Sequence, residues 1–164
     1  MKILVAFIVG LIAAPILFGV AAVAGLLPSD AASNPPKWEM AIGMRAADAS
    51  LEKRSGGLRN PVAANDAAAL AAAQKIYSVN CTGCHGDAKG ASGWGSRGLY
   101  PRAPQFYQEG SDVSPAEAFA AIRDGIRYSG MGAWRGQLRD DEIWKLANLI
   151  ASLHGKAGMA MDKD

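Results

Sequence analysis

The chain of 164 residues carries a formal net charge of +2, and half of its residues are apolar. From Asn60 onward, eleven lysines and arginines face eleven aspartates and glutamates, so the larger part of the chain is electrically balanced. A nucleic-acid-binding protein normally shows a strong basic field. The composition therefore excludes that class, and the length allows about one domain with an added segment.

The first predicted element is an apolar helix. Residues 3–27 contain no charged side chain, and Lys2 is the only charge before them. A helix of that length would measure about 37 Å, enough to cross a hydrocarbon core of about 30 Å. A cleaved signal peptide is the alternative because Ala22-Val23-Ala24 fits a small-residue cleavage pattern, although such signals usually have an apolar region of only about 7–15 residues. We expect residues 1–27 to be a transmembrane anchor or an uncleaved signal, with the rest of the chain exported.

The next segment, residues 28–65, has the composition of a connector. It is rich in proline, contains the Gly56-Gly57 pair and mixes charges of both signs. Within it, residues 38–53 could form one short helix, with Trp38 and Ile42 on the same side. Two interpretations stay open: a solvated linker with a helical turn or two, or a short helix that docks on the domain.

Three helical segments with apolar faces are predicted after the connector, followed by a tail at residues 156–164. They run from Asp66 to about Asn80, from Ser114 to about Arg127, and from Asp140 to His154. Asp66 and Asp140 are suited to cap their helices, and Ser114-Pro115-Ala116-Glu117 has the pattern of a capping box. Residues 66–155 should therefore form one all-α domain with long loops. Its apolar positions are few, which suggests that a large apolar group lies at its centre.

The sequence CTGCH at residues 81–85 contains both cysteines of the chain and one of its two histidines. C-x-x-C-H is the attachment pattern of a c-type haem. Two thiols three residues apart at a helix end face the same side and can reach one edge of a porphyrin, while the next residue places an imidazole below the iron. The pattern predicts thioether bonds from Cys81 and Cys84, with His85 as the proximal ligand.

Three other interpretations of this motif are weaker. A thioredoxin-like redox pair needs a βαβ context, which the sequence does not show. A structural zinc site needs four ligands, and only His154 remains as a further histidine. A simple disulfide in an exported protein would leave His85 without a role.

The chain resembles class I cytochromes c, in particular their membrane-anchored bacterial single-haem forms, over about residues 60–154. Residues 71–86 (AAAQKIYSVNCTGCHG) resemble the first helix and haem-binding segment of that family. Residues 125–134 (GIRYSGMGAW) resemble its distal ligand loop, and residues 140–153 its closing helix. The resemblance implies an all-α cytochrome c fold, with three to five helices around one covalently bound haem c, preceded by a single transmembrane helix.

The resemblance also implies roles for individual residues. Met131, between Gly130 and Gly132, takes the place of the methionine that completes the iron's coordination. Pro104 resembles the proline whose carbonyl accepts the second N–H of the proximal histidine, with Pro101 as the fallback. Phe106 would then pack beside the haem, and Trp134 resembles the aromatic residue that follows the ligand methionine.

Other positions matched to the family are packing positions or departures from its pattern. Tyr77 and Trp144 are expected to form the aromatic contact between the first and last helices. Ala73, Gly132 and Leu149 depart from the usual residues, and Gly132 in particular predicts a softer loop around Met131.

Together these features predict a one-electron carrier rather than an enzyme, acting either as a shuttle or as a fixed subunit of an oxidoreductase complex. Its expected partners are the lipid bilayer and a membrane electron-transfer complex: a quinol-oxidising complex, a dehydrogenase or a terminal oxidase, respiratory or photosynthetic. The expected location is the bacterial inner membrane, with the haem domain in the periplasm. A haem enzyme or gas sensor with a displaceable Met131 is the alternative.

Four arginines around Met131 are expected to form a basic patch, which would either dock an acidic partner or hold haem propionates. They are Arg123, Arg127, Arg135 and Arg139.

Overall fold

The computed structural model describes residues 2–30, 32–33 and 35–153, and the chain divides into two units, Met1–Ser33 and Asn34–Asp164. In the first unit, α1 spans Lys2–Val23 with Pro15 inside it. It is the one helix of the described residues that is long and apolar enough to cross a membrane. His154 and the predicted tail at 156–164 lie outside the described residues.

The second unit is all-helical, with two isolated bridges and no β-strand among its described residues. Its helices are α2 (Lys37–Ser55), α3 (Ala67–Asn80), α4 (Thr82–His85), α5 (Gly93–Arg97), α6 (Phe106–Glu109), α7 (Pro115–Asp124) and α8 (Asp140–Ala151). The all-α fold expected from the sequence is confirmed.

Local capping signals start the main helices of this unit. The Asp66 side chain accepts hydrogen bonds from the backbone N–H groups of Ala68 and Ala69, so α3 is capped as expected. Ser114 and Glu117 form the predicted capping box of α7. α7 ends at Asp124, three residues earlier than predicted, because Gly125 takes a positive φ of 70°. Asp140 is the first residue of α8 and does not cap it.

The core lies where α3, α7 and α8 pack together. Ala73 and Tyr77 of α3 are fully buried against α8, whose inward residues include Leu149. The expected ring contact between Tyr77 and Trp144 is replaced by two others. Tyr77 meets Tyr107 edge-on, with ring centroids 5.6 Å apart, and Trp144 stacks on Phe119 at 4.0 Å.

The segment treated as a connector contains a long helix that packs on the domain. α2 has 19 residues and lies against α7. Arg54, near its end, donates from Nη1 to the Gly125 carbonyl at 3.1 Å and to the Ala120 carbonyl at 3.4 Å. The Gly125 carbonyl lies just past the last residue of α7, where carbonyls have no partner within the helix. Residues 37–55 are therefore helical and attached to the domain, which differs from a solvated linker.

The chain after α2 is also fixed to the domain. Asn148 of α8 is buried, with 2% of its surface exposed. It accepts a hydrogen bond from Asn60 Nδ2 at 2.6 Å and donates from its own Nδ2 to the carbonyls of Val62 and Ala63 at 3.2 and 3.3 Å. This side chain joins the start of the domain to its last helix.

Candidate functional site

The two cysteines lie where α3 gives way to the single turn α4. Cys81 follows the last residue of α3, and its carbonyl accepts the backbone N–H groups of Cys84 and His85 at 3.1 and 2.9 Å. Both cysteines are unpaired and partly buried. Burial, with a smaller contribution from Cys84, raises the pKa of Cys81 to about 11. This thiol is therefore protonated near neutral pH, unlike the low-pKa thiolates of redox pairs.

The His85 ring is held by the loop that carries Pro104. His85 Nδ1 lies 2.9 Å from the Pro104 carbonyl oxygen, and the Phe106 ring stacks on the imidazole, with centroids 4.9 Å apart and planes at 18°. Because a carbonyl only accepts, Nδ1 carries the proton and Nε2 keeps its lone pair. Burial lowers the pKa of His85, and the bond to Pro104 opposes part of that shift. The ring is thus a neutral imidazole suited to bind a metal through Nε2.

The segment around Cys84 has close neighbours on the following loop. Gln105, almost completely buried, donates from Nε2 to the carbonyls of Cys84 and Ala103 at 3.0 and 2.7 Å. Gly95 of α5 lies so near that a Cβ atom there would overlap the Cys84 carbonyl. The turn that carries His85 is therefore enclosed by backbone and by one buried amide.

Met131 lies in a loop whose backbone is held at several points. Its N–H donates to Ser129 Oγ at 3.1 Å, and its carbonyl accepts the Ile126 N–H at 3.0 Å. The N–H of Trp134 bonds the Ile122 carbonyl at 3.0 Å, so the loop returns to α7. The side chains of Met131 and Trp134 are partly buried against the core. A Cβ atom at Gly132 would meet no atom within 4 Å.

The four arginines expected to form a basic patch lie among carboxylates. Arg123 pairs with Asp124 and Asp140, each at 3.4 Å. Arg135 pairs with Asp124, and Arg139 pairs with Asp141 and Glu142 at 3.0 and 3.4 Å. Arg127 is exposed and forms no ion pair with the residues that the structure describes. This surface therefore carries charges of both signs, because the start of α8 adds three acidic residues to it.

Sequence reasoning missed three residues of this site: Gln105, Gly95 and Gly125. A Cβ at Gly125 would lie 2.8 Å from the Met131 carbonyl oxygen and 2.9 Å from atoms of residues 132 and 133. The sequence contains many glycines, and nothing in it distinguishes Gly95 and Gly125 from the others. Gln105, between two predicted site residues, carried no signal of burial.

These residues fit a covalently attached haem better than a bound metal ion. Cys81 and Cys84 are unpaired and partly buried, and no group of three or more His, Cys, Asp or Glu side chains suited to a metal ion occurs within residues 2–30, 32–33 and 35–153. Cys81, Phe106, Met131 and Trp134 are all partly buried and pack against the same core, so apolar contacts for a porphyrin are available from them. The Pro104 carbonyl contacts His85 Nδ1, as the outer partner of a metal-binding histidine does.

No curated protein matches the chain. A solved structure of the Kuenenia stuttgartiensis reducing HAO-like protein complex is 24% identical over 60% of this chain, with a TM-score of 0.49. The chain covers 48% of the length of that structure's chain.

Residues 68–150, just over half of the chain, match the family described as cytochrome C oxidase, cbb3-type, subunit III. The matched range contains the CTGCH motif, Met131 and nearly all of α8. The chain therefore belongs to this family of class I c-type cytochromes, electron-transfer domains that carry covalently bound haem c.

Proposed function

We propose that the chain is a membrane-anchored one-electron carrier with a single haem c attached through Cys81 and Cys84. In this proposal His85 and Met131 would be the two residues that hold the iron, and no ligand position would be left for substrate. When bound, the haem would supply a one-electron Fe(III)/Fe(II) couple, whose potential a thioether ligand raises.

The observation that carries this proposal is the hydrogen bond between His85 Nδ1 and the Pro104 carbonyl. It fixes the tautomer, turns the ring and leaves Nε2 free as a ligand atom, which is the usual arrangement around a metal-binding histidine. Phe106 supports the ring from one face. A histidine held in this way suits a site that changes by one electron with little rearrangement.

The contacts of residues 37–63 bear on the choice between a fixed subunit and a mobile shuttle. α2 packs on α7, and Arg54 and Asn148 attach residues 54–63 to the domain. These residues are therefore not part of a long flexible chain, which over all 38 residues 28–65 would have a root-mean-square reach of about 34 Å. We therefore favour a subunit, or a closely tethered carrier, over a shuttle with a long reach.

The proposed partner is a membrane redox complex on the periplasmic face of a bacterial inner membrane. The family's description names a subunit of a terminal oxidase, which makes an oxidase the first complex to test. A tether supplies a high effective concentration of the partner. The mixed charges around Met131 agree with that, because long-range steering is then not needed.

The test is a spectrum of the denatured protein, followed by a comparison with Met131→Ala. We expect the haem to stay with the unfolded chain, and we expect the substitution to lower the midpoint potential and open the iron to carbon monoxide. Denatured protein without pigment would refute the attachment. Rapid stoichiometric carbon monoxide binding to the reduced wild type would instead support the haem enzyme or sensor.

A further inference from the structure

Gln105 connects the two chain segments that meet at His85. It stands between Pro104, whose carbonyl contacts the imidazole, and Phe106, whose ring stacks on it. Its side chain reaches back to the attachment turn, where Nε2 donates to the Cys84 carbonyl at 3.0 Å. The side chain of Gln105 therefore links the loop that carries Pro104 to Cys84, the residue before His85.

Both N–H groups and the oxygen of the Gln105 amide have hydrogen-bond partners. Its two N–H donors go to Cys84 and Ala103, and Oε1 accepts the Ser92 N–H at 2.7 Å. A Cβ at Gly86 would lie 2.9 Å from Oε1, so the backbone after His85 runs directly against the amide. With 2% of the residue exposed, water cannot replace these bonds. These hydrogen bonds hold the Gln105 side chain in one conformation, which fixes the distance between the turn that carries His85 and the loop that carries Pro104.

We propose that Gln105 is a positioning residue that holds the Pro104 carbonyl on His85 Nδ1 and thereby sets the midpoint potential. This inference rests on the proposed function, in which His85 ligates the haem iron. A hydrogen bond from Nδ1 makes the imidazole a stronger electron donor, which stabilises Fe(III) relative to Fe(II). Loosening that bond therefore raises the potential.

The test uses the full-length haem-loaded protein and Gln105→Met, which keeps the volume of the side chain and removes its hydrogen bonds. We expect at least a threefold rise in the ratio of reduced to oxidised protein at a fixed solution potential, about 28 mV given that tenfold corresponds to 59 mV for one electron. We also expect the His85 Nδ1 proton to exchange with solvent at least tenfold faster in NMR spectra of the reduced protein. Gln137→Met, at an exposed position, is the matched control.

Gln105→Asn keeps the amide on a shorter side chain and should restore part of both readouts. If Gln105→Met loses thermal stability while its potential and proton exchange match the wild type, Gln105 has only a structural role and the proposal is wrong. If Gln105→Met does not retain haem, Gln105→Asn provides the test instead. Wild-type values of its midpoint potential and of its His85 Nδ1 proton exchange would then overturn the proposal. A wild type without covalent haem would refute the proposed function itself, before any variant is compared.

Discussion

Replacing Gly125 with alanine should disturb both the stability of the domain and the Met131 loop. Gly125 has a φ of 70° and a ψ of −179°, a conformation that is essentially restricted to glycine and costs other residues about 1–3 kcal/mol. The new Cβ would also lie 2.8–2.9 Å from backbone atoms of residues 131–133. Backbone cannot rotate away as a flexible side chain can, so overpacking adds about 1–3 kcal/mol.

The expected destabilisation is thus about 2–6 kcal/mol, a large part of the roughly 5–15 kcal/mol that holds a typical domain together. At roughly 4–8 °C for each kcal/mol in a domain of this size, even the lower figure lowers the Tm by about 8–16 °C. Calorimetry of the haem-loaded protein measures this shift. The ferric absorption band that reports the iron–thioether bond should weaken as the loop moves.

Gly132→Ala is the matched control because it alters the same loop. A Cβ there meets nothing within 4 Å, and Gly132 does not have the positive φ of Gly125. We expect a free-energy change within about 0.5 kcal/mol, as for most surface substitutions. Equal Tm values for the two variants, or a Gly125→Ala protein with a wild-type ferric band, would refute the claim that Gly125 shapes the loop.

Two further predictions concern the connection to α8 and the start of α7. Asn148→Ala should cost about 1–3 kcal/mol because it removes the side chain that bonds Asn60 and the carbonyls of Val62 and Ala63. Asn80→Ala, at an exposed residue, should change the denaturation midpoint little, and equal effects would contradict the proposed attachment. Hydrogen bonds from Ser114 lower the pKa of Glu117, so its ionised form stabilises α7 above its usual pKa, and this contribution is lost as the pH falls through the lowered value. The Tm difference between wild type and Glu117→Gln should accordingly shrink between neutral pH and about pH 3, and a constant difference would be evidence against it.

The sequence predicts those parts of the fold that depend on neighbouring residues. Asp66 and the Ser114 capping box start α3 and α7 because their hydrogen bonds join groups two or three residues apart. The CTGCH motif and the order of the three matched segments were sufficient to indicate the family, which is confirmed. The roles of individual ligands stay predictions, because they require the haem itself.

Other features depend on contacts between distant segments. A docked helix was one of the two open interpretations of residues 38–53, but α2 has no clear apolar face, and its attachment through Arg54 to backbone carbonyls about seventy residues away could not be predicted. Tyr77 and Trp144 were correctly placed in the core, but their ring partners come from other helices.

The surface expected to be a basic patch carries charges of both signs. Arg139 pairs with acids two and three residues away, whereas Arg123 meets Asp140 only because α8 packs on α7.

These distant contacts have a common effect on the two proposed ligand residues. On one side, Gln105 and the Pro104 carbonyl fix the imidazole of His85. On the other, Gly125 and Ser129 hold the backbone of Met131, although Gly132 beside it is open. An iron that exchanges electrons rapidly must keep its ligands in nearly the same positions in both oxidation states, whereas a sensor needs one ligand to leave. Backbone contacts on both sides therefore favour the electron carrier, and any mobility at Gly132 would have to break the Met131 hydrogen bonds first.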